Sequence, residues 1–389
     1  MNNLKLMYIS DYMYTTGGSH ENSVMHLKCL TEVLGENNVV RVALTAGKKI
    51  DADDGFIHLQ GYNSKVQQLI NLLTLNDYCL NKTLERKICE LIKVNQVNCV
   101  YMNCTMGKLA KAIKKQFPKV VIMSFYHDIN AVLLKEWVKE KGIKAIPLCI
   151  SGKYNEKQMQ KYADIHITLN KRDAGLFEKI YGHTSDFELP IILKDKYTQG
   201  NTAYKAANKP LEILFAGVYY YPNVQGILWF CNDVLPKIQE SVHLNIVGLN
   251  MEKLRDKIAD PRVTVVGTVD SLAPFYERTD LVIAPIFKGG GMKIKTAEAM
   301  MYGKQFIGTS ESMEGYSEMI PSNIAGKYIF ETNDADGFAD AVQMAYENRK
   351  QLSNVIPEVR ELFEQHFSED AGIRRFRSLL ELAQKEIKA

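Results

Sequence analysis

A chain of 389 residues is longer than one hydrophobic core usually supports, so two domains of roughly 200 residues each are expected. With 46% hydrophobic and 24% charged residues it holds apolar material for two cores and shows no compositional sign of extensive disorder. The net charge of +3 divides unevenly, with 27 Lys/Arg against 20 Asp/Glu in residues 1–200 and 21 against 25 in 201–389; this positive excess is too diffuse for nucleic-acid binding but suits an anionic acceptor, a membrane surface, or simply solvated lysines.

The first apolar run, 4–9, begins at once, without the charged, apolar and small-residue regions of a signal peptide. No run approaches the length of a membrane span, so any membrane contact is expected to be peripheral, through the basic N-terminal half. The seven cysteines lie mostly in apolar segments, with no Cys-x-x-Cys pair or zinc-type spacing, and read as reduced core residues of a cytoplasmic protein.

After the first run comes the loop Thr16-Gly17-Gly18-Ser19. Further strands are expected at 39–44, 97–102, 119–125, 145–149 and 164–169, separated by segments of 3.6-residue periodicity, the alternation of a parallel sheet covered by helices. Within one such helix, 107–115, Lys108, Lys111 and Lys115 share a side that either meets anionic lipid or is merely solvated. His127 and Asp128 follow the strand at 119–125, where α/β proteins bind ligands. The polar, turn-prone stretch 194–210 reads as a linker, which places the domains at 1–200 and 201–389.

A second series follows, with strands at 211–216, 243–247, 262–266, 280–284, 304–308 and 327–330, so each half is Rossmann-like. Gly217 and Gly267 each follow a strand of this series. After the strand at 280–284 stands Gly289-Gly290-Gly291-Met292-Lys293-Ile294-Lys295-Thr296-Ala297-Glu298. Three glycines let the backbone approach a ligand, and the free amides opening the next helix favour a diphosphate. Lys293 and Lys295 add charge there, and Glu298 shares a helical face with Lys295, where a carboxylate accepts hydrogen bonds from ribose hydroxyls. A final helix runs from an N-cap at Ser368 to about Lys388, with Ile373, Phe376, Leu379, Leu380 and Ala383 on one face that is expected to pack back on the N-terminal domain. Nothing matches the Gly-x-Gly-x-x-Gly, P-loop, Gly-x-Ser-x-Gly or His-Glu-x-x-His patterns at the required places.

The glycine-rich run at 289–304 resembles the donor-binding signature of the group 1 glycosyltransferases, which are retaining enzymes of the two-domain GT-B fold. Phe215-Ala216-Gly217 with Tyr221-Pro222-Asn223, and Val265-Val266-Gly267-Thr268, are similar to the first strand and the base-pocket strand of that family's C-terminal domain. The resemblance implies an α/β GT-B protein with two Rossmann-like domains facing a deep cleft. It implies a nucleotide diphosphate sugar as donor, a glycan or glycolipid hydroxyl as acceptor, and a place at the inner face of the cell membrane. It requires no cofactor, and no acidic cluster calls for a metal. His127, Lys293 and Lys295 are the catalytic candidates. Gly17, Gly18, Gly217, Gly267, Gly289, Gly290, Gly291, Met292, Lys293, Lys295, Thr296 and Glu298 are the donor-binding candidates. One departure stands out: Gly290 occupies the first position of the family's Glu-x7-Glu pair. A non-catalytic GT-B-like partner, or a nucleotide-sugar epimerase or hydrolase on the same fold, therefore stays open as an alternative.

Overall fold

The structure is a computed structural model. It describes residues 4–388 except 16, 48–49, 51–52, 63, 77–79, 132–141, 199–208 and 350–353. Thr16, Cys79 and much of the expected linker thus lie outside the described residues. The chain forms two compact units, one of Met1–Ile192 with Glu369–Ala389 and one of Leu193–Ser368.

The first unit is built on a seven-stranded sheet of β1 (Leu6–Ser10), β2 (Val39–Ala46), β3 (Ile57–Tyr62), β4 (Cys99–Met102), β5 (Val121–Phe125), β6 (Ile165–Thr168) and β7 (Phe187–Glu188). The strands lie in the order β3-β2-β1-β4-β5-β6-β7, and all paired neighbours are parallel. Strands β1, β4, β5 and β6 are buried along their whole length, as continuous apolar runs covered on both faces must be. The edge strands β3 and β7 were not expected. The first carries Gln60 and Gly61 among its apolar residues, and the second is only two residues long.

The strand expected at 145–149 is a helix. A short turn, Gly142–Ala145, leads into Ile146–Tyr162, with Pro147 in its first turn where the missing N–H costs no hydrogen bond. A short apolar run looks alike in a buried strand and in the first turns of a helix.

The helix Glu369–Lys388 packs on Gly18–Leu34 of the first unit, as expected. Phe376, Leu379, Leu380 and Ala383 are buried, while Ile373 is half-buried at the margin. The approach is close, because a Cβ on Gly372 would stand 2.7 Å from Ile192 Cδ1 and 2.9 Å from Cys29 Sγ. Phe376 closes an aromatic box around buried His26 with Tyr101 and Phe125, and Lys28 meets Glu369 at 2.5 Å. The Ser368 hydroxyl, directly before this helix, donates to Glu364 O at 2.7 Å.

The second unit contains β8 (Leu211–Ala216), β9 (Val242–Val247), β10 (Val263–Gly267), β11 (Leu281–Ala284), β12 (Gln305–Gly308) and β13 (Ile329–Glu331). All six strands were legible. They form a parallel sheet in the order β10-β9-β8-β11-β12-β13. In each unit the strand order reverses once, between β1 and β4 and between β8 and β11. At such a point two neighbouring strands send their chains to opposite faces and leave a crevice at their carboxyl ends.

Candidate functional site

In the second unit the carboxyl ends of β8, β9 and β10 are lined by glycine. Gly217 N–H donates to Val247 O at 2.9 Å, and Gly248 N–H donates to Gly267 O at 2.8 Å. A Cβ on Gly248 would stand 1.9 Å from Gly217 O, and one on Gly267 2.7 Å from Glu252 Oε2. Both residues have positive φ, so the edge requires glycine for space and for conformation alike. Gly248 was missed in the sequence, although its place directly after β9 matches that of Gly217 after β8.

Across the switch point, the loop after β11 carries Gly289, Gly290 and Gly291, with φ of 142° at Gly289 and 62° at Gly291. Lys293 shapes this loop. Its ammonium donates to Gly290 O and Gly291 O, both at 3.0 Å, and to Glu311 Oε1 at 2.7 Å. The Lys293 carbonyl accepts from Tyr316 OH at 2.8 Å, which fixes the entry to the helix Ile294–Met301. Met292 is buried beneath the loop.

Lys295 is in a different position. It is buried over the face of Phe215, with Nζ 4.3 Å from the ring centroid, and donates to Asn223 Oδ1 at 2.8 Å. A Cβ on Gly217 would lie 3.1 Å from this ammonium. Burial pushes the Lys295 pKa down to about 7, although Glu298 nearby favours the charged form. Glu298 is also buried and accepts from Tyr276 OH at 2.8 Å; Tyr276 in turn stacks on Tyr302. Thr296 is fully buried, and its hydroxyl donates to Ser312 O at 2.8 Å.

The structure therefore brings Gly217 and Lys295 together at the switch point, gathers Gly289, Gly290, Gly291 and Lys293 into the adjoining loop, and sets Glu298 near Lys295. It adds Asn223, Glu311 and Tyr276, which sequence reasoning did not single out as site residues. Such a site presents a buried cation and exposed backbone amides to an anionic ligand.

In the first unit Gly17, with φ 94°, precedes Gly18, the first residue of the helix Gly18–Leu34, and both are exposed. His127 follows β5 and packs on Tyr12 of the loop after β1, with ring centroids 4.6 Å apart. Its ring is bonded to the Asn103 backbone, just beyond β4, while its Nε2 is shielded from solvent and meets no partner among the described residues. Burial pushes the His127 pKa down to about 3, so the ring is neutral at physiological pH. The Lys-rich side of the helix Gly107–Gln116 is not a free face: Lys108 Nζ donates to Thr74 O and Asn76 Oδ1, and Lys111 lies over the Tyr162 ring.

Residues 210–348 match the family model described as glycosyl transferases group 1. An uncharacterized 44.6 kDa protein in the cps region of Klebsiella pneumoniae is 24% identical over 255 residues, a match spanning 62% of this chain and 61% of that protein. Among solved structures, the lipopolysaccharide outer core galactosyltransferase WaaB in its apo form aligns over 98% of this chain and all of its own, with TM-score 0.70 and 16% identity. HepE of Anabaena in complex with UDP aligns over 97% of this chain and all of its own, with TM-score 0.67 and 13% identity. WaaG, a glycosyltransferase involved in lipopolysaccharide biosynthesis, aligns over 92% of this chain and 94% of its own, with TM-score 0.62 and 13% identity. Over residues 210–348 the chain is similar to the group 1 glycosyltransferases, and as a whole it has the GT-B fold.

Proposed function

We propose that this protein transfers a hexose-type sugar, with retention of configuration, from a uridine diphosphate sugar to a hydroxyl of a surface glycan or glycolipid. The observation that carries this reading is the buried Lys295 ammonium at the β8/β11 switch point. Its hydrogen-bond partner among the described residues is the neutral Asn223 amide, and it stands beside the Gly217 backbone in a domain matching the family model. A buried cation without full compensation is costly, and a diphosphate would supply the missing charge. Uridine is favoured because HepE structures of the same fold hold UDP and UDP-glucose. A role in surface-polysaccharide assembly is favoured by the relative encoded in a cps region.

In the proposed reaction the bond from the sugar's anomeric carbon to the diphosphate oxygen breaks, and the diphosphate leaves with the electron pair. The acceptor oxygen bonds to that carbon on the same face, and its proton passes to the leaving phosphate. Lys295 and the amides of the 289–291 loop stabilise the charge on the leaving group. Lys293 holds that loop in shape, Glu298 accepts from the ribose, Gly217 and Gly267 admit the nucleotide closely, and Gly17 and Gly18 present helix amides to the phosphates. His127 is assigned to the transferred sugar as a neutral hydrogen-bonding group.

Gly290, in place of a glutamate, favours a second reading, a GT-B protein that binds a nucleotide sugar or a partner without catalysis. Thermal-shift titration with UDP, GDP, ADP and CMP and their sugar conjugates, followed by a transfer assay with the best donor, separates the readings. Stabilisation by one nucleoside diphosphate with sugar transfer supports the transferase. Stabilisation without turnover supports the second reading, consumption of donor without acceptor indicates an epimerase or hydrolase, and no stabilisation by any nucleotide overturns the donor site itself.

A further inference from the structure

The glycine loop after β11 offers a ligand mainly N–H donors. Gly289, Gly290 and Gly291 carry no side chains, and the carbonyls of Gly290 and Gly291 are held by the Lys293 ammonium, both at 3.0 Å. Such amides suit a diphosphate, which only accepts hydrogen bonds. A sugar hydroxyl also carries a proton that needs an acceptor once water is excluded. The loop itself, 285–293, contains no Asp or Glu, and Glu298 beyond it is bonded to Tyr276 and assigned to the ribose.

The missing acceptor stands on the next connection. Glu311 lies on the short helix Ser310–Met313 that follows β12, the strand beside β11. Its Oε1 meets Lys293 at 2.7 Å and would lie 4.0 Å from a Cβ on Gly289, so the carboxylate rests against the first residue of the glycine run. The segment that carries it is bolted to its surroundings. Ser312 Oγ donates to Ala284 O at the end of β11 at 2.5 Å, and Ser312 O accepts from the Thr296 hydroxyl at 2.8 Å. Ser310 donates through its backbone and its hydroxyl to Asn333 Oδ1, both at 3.0 Å. A carboxylate held in this way is pre-organised relative to the loop. Its side chain keeps 19% of its surface exposed, so a ligand on the loop can reach it.

We propose that Glu311 is a specificity-determining residue of the donor site, accepting hydrogen bonds from hydroxyls of the transferred sugar while the glycine amides take the diphosphate. The inference rests on the donor reading above and adds to it the residue that tells a sugar conjugate from the bare nucleotide. Lys293 has a further part in this arrangement. An unpaired carboxylate beside a diphosphate would repel it, and the ammonium offsets that charge. A carboxylate accepts from several donors at once, so the pairing does not keep it from sugar hydroxyls.

The test is calorimetric titration of the full chain with UDP, UDP-glucose, UDP-galactose and UDP-N-acetylglucosamine, read as the ratio of conjugate to UDP affinity. Among analogues of the best conjugate with one sugar hydroxyl replaced by fluorine, which cannot donate, at least one should bind the wild type about tenfold more weakly. Glu311→Met should lower the affinity ratio by about tenfold, bind that analogue and its parent alike, and leave UDP affinity within about threefold. Glu311→Gln keeps the shape and one accepting oxygen, and should show the same pattern at about threefold, which serves if Glu311→Met does not fold. Lys293→Met loosens the loop but keeps the carboxylate, so it should weaken UDP and conjugate together and leave the ratio unchanged. Equal losses of UDP and conjugate affinity in the Glu311 variants would reduce Glu311 to a prop for the loop and overturn the proposal, as would an unchanged ratio. Wild-type protein that binds neither UDP nor any conjugate would overturn the donor reading, and this proposal with it.

Discussion

The ammonium of Lys293 and the carboxylate of Glu311, eighteen residues apart in the chain, meet at 2.7 Å while the same ammonium holds two carbonyls of the glycine loop. Lys293 is thereby paired and tied down, and it shapes the glycine loop proposed above to face the diphosphate. Lys293→Met and Glu311→Gln should each destabilise the second unit. The two changes should be less than additive, with a coupling of about 1 kcal/mol in a double-mutant cycle read by denaturant unfolding. A coupling near zero would mean that the pair does not organise the loop.

Lys295 carries the opposite prediction. Its folded pKa of about 7 lies below the unfolded lysine value, so folding disfavours the ammonium. The full cost is present below pH 7 and fades as pH rises from 7 toward the unfolded value near 10. Lys295→Met should therefore raise ligand-free stability at neutral pH by about 1 kcal/mol or more while abolishing nucleotide binding. For the wild type, binding a diphosphate at pH 8 should draw a proton onto Lys295, whereas at pH 6 it should not. Calorimetry in buffers of different ionisation enthalpy measures that uptake, and equal proton linkage at both values would remove Lys295 from the diphosphate site.

Glu298 is oriented by Tyr276. Glu298→Ala should weaken nucleotide binding outright. Tyr276→Phe, which removes one hydrogen bond and keeps the ring stack, should weaken it by about 1 kcal/mol. Titration of both variants with the same nucleotide checks the order, and a silent Glu298→Ala would refute a ribose contact.

His127 is neutral, so it should contribute a hydrogen bond and no ionisation. His127→Ala is expected to lower turnover about a hundredfold with little change in nucleotide affinity. The wild-type rate should show no limb from His127 above pH 5, because the ring's pKa stands near 3. A limb near pH 6 that disappears in the variant would contradict the neutral assignment.

Gly248 and Gly182 both have positive φ, but only the first is crowded. Gly248→Ala drives a Cβ into Gly217 O and should cost about 3 kcal/mol or more, together with nucleotide binding. Gly182→Ala, with open space around it, should cost about 1 kcal/mol and leave binding intact. Thermal unfolding and nucleotide titration of the two variants give the comparison.

The strands of the second unit were legible because each is a short, mostly apolar run bounded by polar turns. Residues 145–149 were misread because the same kind of run opens a helix; Pro147 was the signal that favoured the helix. The glycine loop and its lysines could be found because they are contiguous. Asn223 lies 72 residues before Lys295, and they meet only because β8 and β11 are neighbours in the sheet, a fact of topology that local pattern does not carry. Glu311 and Tyr276 were hidden for the same reason. Each lies on a different βα connection from the residue it touches.

The packing of Glu369–Lys388 against Gly18–Leu34 bears on how the protein is made. Residues 193–368 are synthesised between two parts of the first unit, so a growing chain completes the second Rossmann-like unit before the helix that shields His26 and Ile192 exists. On the ribosome the first unit must therefore wait, with apolar surface uncovered, for residues made long after its own strands.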